Sequence, residues 1–203
     1  IGAGMSGISA AVAAARQGAD VVLINDRPVL GGNASSEIRV TVNGVQTLKA
    51  KNPVERETGI IEEILLENKK YNPQESYPIW DHVLYDYVVR QPNLRLMLNT
   101  QAIKAIMDGE RIKSAFCWQS TTETEVVINA KIFVDCSGDG LFAATSGAEY
   151  RTGREGKAEF GEKYAPDELD GWMMGESIMM ITKDMGRPVP FYPPSYTKKF
   201  DAS

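Results

Sequence analysis

The chain opens Ile1-Gly2-Ala3-Gly4-Met5-Ser6-Gly7, and Gly2, Gly4 and Gly7 make a G-x-G-x-x-G pattern. This spacing constrains the fold more than anything else in the sequence, because each glycine meets a different need at a strand-to-helix turn. The first makes the turn tight, the second lets backbone approach a pyrophosphate, and the third lets the helix lie close to its sheet. The phosphates then sit at the positive N-terminal end of that helix. Alone, three spaced glycines are weak evidence, and their weight depends on the residues downstream.

A helix and then a strand come next. Residues 6–17 are rich in alanine and contain no proline, so helix propensity is high. Gly7, Ala10, Ala11 and Ala14 recur at helical spacing and form a stripe of small side chains suited to packing on a sheet. Gly18 stands where a helix C-terminal glycine is expected. Asp20-Val21-Val22-Leu23-Ile24 is an apolar run of the kind found in buried parallel strands. Asn25 and Asp26 come next, near the place, about 20 residues after the first glycine, where the fingerprint sets an acid for ribose hydroxyls. A glycine-rich turn without a ligand is the plainer alternative, and the agreement of glycine, helix, strand and acid weighs against it. Of the strand that should precede the turn only Ile1 is present, so the chain is expected to be a segment of a longer protein.

Composition narrows the function classes. A chain of 203 residues holds one large domain or two small ones, and 43% hydrophobic content builds an ordinary core. A formal charge of −5 without a Lys/Arg cluster argues against a nucleic-acid partner. No apolar run approaches the roughly 20 residues that span a bilayer. Location is left open, with the cytoplasm favoured. Cys117 and Cys136 form no C-x-x-C pair and are expected to be free thiols. His82 is the only histidine, which disfavours a histidine metal site or a Ser-His-Asp triad. Ser6 lacks the G-x-S-x-G setting of a nucleophile elbow. No metal site is expected.

Beyond the second strand, Arg27-Pro28-Val29-Leu30-Gly31-Gly32-Asn33-Ala34-Ser35-Ser36-Glu37 carries a second glycine pair. A simple nicotinamide fingerprint does not require it. Two glycines here would admit another stretch of backbone beside an elongated cofactor, with Ser35 or Ser36 placed to cap a following helix; an ordinary helix-initiating loop fits equally well. Residues 49–92 then leave the nucleotide core. Thr58 is expected to cap a helix over 59–66, and a polar loop with Pro73 and Pro78 comes after it. A second helix, about 79–90, would bury Ile79, Trp80, Val83, Leu84, Tyr87 and Val88. Asp81, His82, Asp86 and Arg90 would face the other way. Residues 93–99 read as a strand returning to the parallel sheet, and 100–107, 111–119 and 125–129 as a meander turning at Asp108-Gly109. After Tyr150, glycine, charge and methionine rise, residues 177–182 read as a strand, and Pro188, Pro190, Pro193 and Pro194 extend the end.

Together these motifs resemble a known family. Residues 2–33 look like the N-terminal FAD-binding motif of FAD-dependent oxidoreductases of the glutathione-reductase-like superfamily. Val134-Asp135-Cys136-Ser137-Gly138-Asp139-Gly140 is similar to the later D-A-T-G-D-G segment of that group. Gly147-Ala148-Glu149-Tyr150-Arg151 and Gly153-Arg154-Glu155-Gly156-Lys157 resemble the continuation in an uncharacterised branch named simply FAD-dependent oxidoreductase. One departure is Asn25, where such proteins usually carry Glu, so the ribose contact falls to Asn25, to Asp26, or to both.

The resemblance implies an α/β fold with a Rossmann-like FAD-binding βαβ core, a parallel sheet and a crossover β-meander. That domain would occupy 1–48 and 93–150, with a helical excursion over 49–92 and the start of a substrate-side α+β region over 151–203. Ile132-Phe133-Val134 would be the domain's final strand. The implied cofactor is FAD, with Gly2, Gly4, Met5, Ser6 and Gly7 around the pyrophosphate and Arg27 on the adenine side. Ala102 would offer backbone to adenine, Gly32, Asn33 and Ser36 would lie along the flavin-ward half, and Gly138 and Asp139 would line the crevice. The implied activity is hydride transfer between a small substrate and flavin N5. Arg39 is a candidate for polarising substrate or reduced flavin, and no residue takes a catalytic assignment. An NAD(P)-dependent dehydrogenase would explain the first motif but not the later glycines. A non-catalytic nucleotide-binding module remains a third class.

Overall fold

The computed structural model describes residues 1–43, 57–175 and 182–198. The alanine-rich run forms helix α1 (Met5–Arg16), which buries Gly7, Ile8, Ala11, Val12 and Ala15. Gly18, at a φ of 89°, ends it: the Gly18 and Ala19 N–H groups donate to Ala15 O and Ala14 O at 2.9 and 3.1 Å. That pair satisfies carbonyls the helix itself leaves open. Strand β1 (Val21–Ile24) comes next, and a short 3-10 turn (Gly32–Ala34) closes the loop after it. Ser35 ends that turn, its N–H donating to Gly32 O at 3.0 Å, so it does not cap a new helix as expected.

Helix α2 (Ile60–Tyr71) begins at Gly59, not Thr58, because the chain enters through φ 73°, ψ −145°, a conformation that is essentially glycine's alone. Helix α3 (Tyr77–Val89) starts ahead of its expected place and takes Pro78 into its first turn, where a missing N–H costs nothing. Between the helices the buried Asn72 side chain donates to Ser76 O and accepts from Ser76 N–H. Trp80, Val83, Leu84, Tyr87 and Val88 are buried, as the periodicity predicts, and His82 is exposed. Asp81 departs from its expected solvent face, since its carboxylate is half-buried and accepts the Ser36 N–H at 2.9 Å.

Strand β2 (Leu94–Met97) pairs in parallel with β1, from Val21 opposite Leu94 to Ile24 opposite Met97. The antiparallel meander is β3 (Thr100–Asp108), β4 (Arg111–Gln119) and β5 (Thr124–Asn129), in that lateral order. Residues 132–134 do not form the expected strand. There Ile1 donates to Val134 O at 2.8 Å and accepts from Cys136 N–H at 2.7 Å. Short helices α4 (Leu141–Thr145) and α5 (Lys157–Phe160) complete the elements.

The chain falls into two compact units, residues 1–173 and 174–203. The first unit holds two apolar cores. One joins Ile8, Val12, Leu23 and Leu30 to Ile64, Trp80, Leu84 and Val88 of the helical pair; the other gathers Ile24, Ala102, Ala115, Cys117 and Phe142 under the meander. Full burial of each large aliphatic side chain contributes about 1.5–3 kcal/mol. Within the same unit, Arg154 and Asp170 exchange backbone hydrogen bonds at 3.2 and 3.1 Å and pair their side chains. In the second unit the described residues form no helix or strand, and the strand expected at 177–182 lies, except for Thr182, outside them.

At the outer face of the helical layer, the two terminal guanidinium nitrogens of Arg16 reach Glu63, at 2.9 and 2.7 Å. The Tyr87 hydroxyl donates to the same carboxylate at 2.6 Å. One cluster thus links α1, α2 and α3. Arg16, then Tyr87, hold the Glu63 carboxyl down to about 2, while burial and then Glu63 push the Tyr87 phenol up to about 12. A carboxyl lowered on folding adds stability above its ordinary value and loses it as pH falls toward the lowered one. The pair is about half exposed, so solvent screening keeps the gain small.

Two outcomes are expected. Glu63→Gln should lower stability at pH 7 by about 0.5–1 kcal/mol, and this deficit should shrink between pH 4.5 and 2, as read by denaturant titration at each pH; equal midpoints at pH 7 would show that the cluster adds nothing. Gly7→Ala should be worse, because its Cβ would lie 1.9 Å from Gly2 O. Forcing α1 off the sheet should cost about 1–3 kcal/mol or more, measured as a fall in the thermal midpoint.

Candidate functional site

The two glycine motifs meet in space. Gly4 forms a parallel bridge with Gly31, and the Gly31 N–H donates to Ala3 O at 2.8 Å. Gly32, at φ 56°, lies so near that a Cβ there would stand 3.2 Å from the Gly4 Cα. Around this junction opens a cleft of about 650 Å³. Its walls come from the turn into α1, the end of β1, the 31–34 loop, residues 40–43, the start of β3, and residues 136–139 with Leu141 and Phe142. It sits beyond the carboxyl end of β1, where ligands of open α/β sheets bind.

The three glycines of the first motif stand in different surroundings. Gly2 takes φ 85°, and a Cβ on it would meet Cys136 O at 2.4 Å; Gly7 is pressed against Gly2 O. Both are required by protein packing. Gly4 is different: its φ of −64° suits any residue, and a Cβ there would meet nothing within 4 Å. No side chain caps α1 and its first turn holds no acid, so the positive end of its dipole meets the cleft without a capping side chain.

At the other end, Asn25 is only 5% exposed. Its Oδ1 accepts the Ala3 N–H at 3.1 Å, and its Nδ2 donates to Arg27 O at 3.1 Å and Val29 O at 2.8 Å. Asp26 is exposed on the cleft wall. Arg27 also borders the cleft, but Glu37 grips its guanidinium at two nitrogens, 2.9 and 2.7 Å away. The pairing raises the Arg27 guanidinium and lowers the Glu37 carboxyl.

Ala102 lies on the edge strand β3. Ser120 N–H donates to Asn99 O, which makes Thr100 and Gln119 a non-hydrogen-bonded pair, with the backbone groups of Thr100 facing away from β4. Thr100 uses its outward N–H on Asn25 O at 2.7 Å. Ala102, two residues on, presents its N–H and C=O in the same direction, toward the cleft it lines.

Of the residues singled out from sequence, Gly2, Gly4, Met5, Ser6, Asn25, Asp26, Arg27, Gly32, Asn33, Ala102, Gly138 and Asp139 line this one cleft. Gly7 and Ser36 do not. Gly7 lies beneath the turn, and Ser36 gives its N–H to Asp81. Arg39 is also outside the wall; its Nε donates to Ser36 O and its guanidinium stands over the Tyr77 ring at 5.4 Å. Sequence reasoning missed residues 40–43, Thr100 and Phe142. It also passed over Asp135, whose two oxygens accept Ser137 N–H at 2.9 Å and Ala143 N–H at 2.8 Å. Burial alone would raise that carboxyl, and those hydrogen bonds outweigh it and lower it. The signal was the acid inside Asp135-Cys136-Ser137-Gly138; nothing in sequence marked 40–43. Among the described residues no three His, Cys, Asp or Glu stand where they would hold a metal ion. No described helix is long and apolar enough to cross a membrane.

A family model described as FAD dependent oxidoreductase matches residues 1–200. Comparison with curated proteins returns no match. Among solved structures the chain is similar to THI4 of Thermovibrio ammonificans, at 18% identity and a TM-score of 0.51, over 83% of this chain and 73% of that one. At that identity the likeness speaks for the fold, a Rossmann-like mixture of a parallel and an antiparallel sheet. A cleft built from two abutting glycine turns at an uncapped helix end suits a dinucleotide, and with the family match spanning nearly every residue, the chain belongs to the FAD dependent oxidoreductase family and takes FAD as its cofactor.

Proposed function

We propose that this chain is the FAD-binding part of a flavin oxidoreductase of the glutathione-reductase-like superfamily and that FAD lies along the cleft lined by the two glycine turns. The observation that carries this reading is Gly4. It is the one glycine of the first motif whose missing side chain leaves open cleft instead of filling a protein contact, and it sits at the uncapped start of α1. Met5 and Ser6 supply first-turn N–H groups to the pyrophosphate, Gly2 sets the turn that aims them, and Gly7 lets the helix seat beneath it. The Asn25-Asp26-Arg27 segment receives the adenosine, with the outward backbone of Ala102 beside the adenine edge. Gly32 and Asn33 border the flavin-ward half, where Gly32 keeps the wall low because a side chain there would strike Gly4. Ser36 supports that wall from behind through Asp81.

Gly138 and Asp139 close the crevice on the opposite side. Asp135 holds their loop in shape by accepting from both the loop and α4. FAD held there would supply the redox chemistry, hydride exchange with a small substrate at N5. The chain's own contribution is to bind, orient and exclude water. No residue carries a catalytic assignment, and Arg39 is spoken for by Ser36 and Tyr77.

Gly4→Val tests the reading. Its backbone angles accept valine and no protein atom lies within 4 Å of its Cβ, so the far-ultraviolet circular dichroism of the intact protein should not change. The visible flavin absorption of the purified protein should disappear, since the branched side chain fills the pyrophosphate's space. Stoichiometric flavin retained by this variant would overturn the assignment.

A further inference from the structure

We propose that Asn25 does not touch the ribose but is a positioning residue that locks the two glycine turns together, leaving the carboxylate of Asp26 to take the ribose hydroxyls. The inference rests on the FAD reading above and assigns the roles that reading left joined. Asn25 stands at the end of β1, where a dinucleotide fingerprint places its acid, yet its side chain is 5% exposed. Its amide makes three hydrogen bonds, all to backbone. Oδ1 takes the Ala3 N–H of the first glycine turn, and Nδ2 gives its hydrogens to Arg27 O and Val29 O of the loop leading to the second.

That arrangement demands one acceptor and two donors on one short side chain, which an amide has and a carboxylate lacks. The main chain of Asn25 is engaged as well, donating to Met97 O at 2.9 Å and accepting from Thr100 N–H at 2.7 Å. Five contacts therefore fix the residue, and each sets the position of a segment that lines the cleft or carries it. Asp26, exposed on the same wall, offers the two acceptor oxygens that a diol needs. The charged side chains beside Asn25 are Asp26 and Arg27 on its own segment, with Arg27 paired to Glu37. Ala3, Val29, Met97 and Thr100, its other partners, bring none.

Asn25→Asp in the intact protein separates the two roles. An aspartate there is buried and faces two carbonyl oxygens, so its carboxyl is raised above the usual value of about 3.9. A group raised on folding supports the folded state while protonated, and that support is lost as pH rises through the raised value. FAD affinity, followed by fluorescence titration from pH 5 to 8, should be flat for the wild type. In the variant it should approach the wild type at pH 5, where the protonated carboxyl still donates one bond, and be weaker by about tenfold or more at pH 8. The melting temperature of the FAD-free variant should fall over the same range, and a variant that folds only at low pH supports the positioning role equally.

FAD binding by Asn25→Asp as tight as the wild type, or tighter, at every pH would overturn the proposal, since an acid touching the ribose would behave so. Asp26→Ala is the second variant; exposed, it should fold normally and lose about tenfold in FAD affinity, and unchanged affinity would also overturn the assignment. A wild-type protein that takes up no FAD would sink the cofactor reading instead. The FAD-free melting profile of Asn25→Asp would still decide the role of Asn25.

Discussion

The first turn of α1 lies against the backbone that precedes it, with the place of a Gly7 side chain only 1.9 Å from Gly2 O. Everything around the cleft depends on that approach. It allows α1 to settle on the sheet and bury Ile8, Ala11 and Val12, so the helix start is carried to the rim with no side chain over it. Gly2 in turn presses on Cys136 O, which draws the Asp135–Gly138 loop to the same point. Atoms this close cannot yield without moving whole elements, because protein interiors are packed as densely as organic crystals.

The second organising point is the end of β1. Here the parallel pair stops and the meander begins, and the main chain of Asn25 bonds both, to Met97 on β2 and Thr100 on β3. Its side chain adds the two glycine turns. Buried polar groups are stable only when fully partnered, and an asparagine with every hydrogen used is a strong local constraint. The helical pair contributes from outside: Trp80 Nε1 donates to Ala34 O at 2.8 Å, Asp81 takes the Ser36 N–H, and Leu84 backs onto Gly31. Residues 57–89 therefore do more than decorate the nucleotide core. They hold the second glycine turn against the first.

Much of this was legible beforehand because it is local. Alanine content and Gly18 mark α1 and its end. The apolar run marks β1, and Asp108-Gly109 marks the hairpin, with Gly109 at φ 59°. Misplacements came where a neighbour overrode local preference. Thr58 was displaced by Gly59, whose left-handed backbone opens α2. Residues 132–134 have strand composition but form no strand, although Ile1 donates to Val134 O. Asp81 falls on the polar side of α3 by periodicity, yet a loop 45 residues earlier in sequence covers it.

By itself the sequence determined the periodic elements, the glycine turns and the kind of ligand they suit, since backbone freedom and hydrophobic spacing are properties of neighbouring residues. Only the tertiary structure decided what stands where each missing side chain would be: Cys136 O beside Gly2, Gly2 O beside Gly7, and nothing within 4 Å of Gly4. The same holds for Asn25 and Asp26. They are adjacent and both polar, but successive side chains leaving a strand point to opposite sides. One enters the protein and spends its amide on backbone; the other stays on the wall of the cleft.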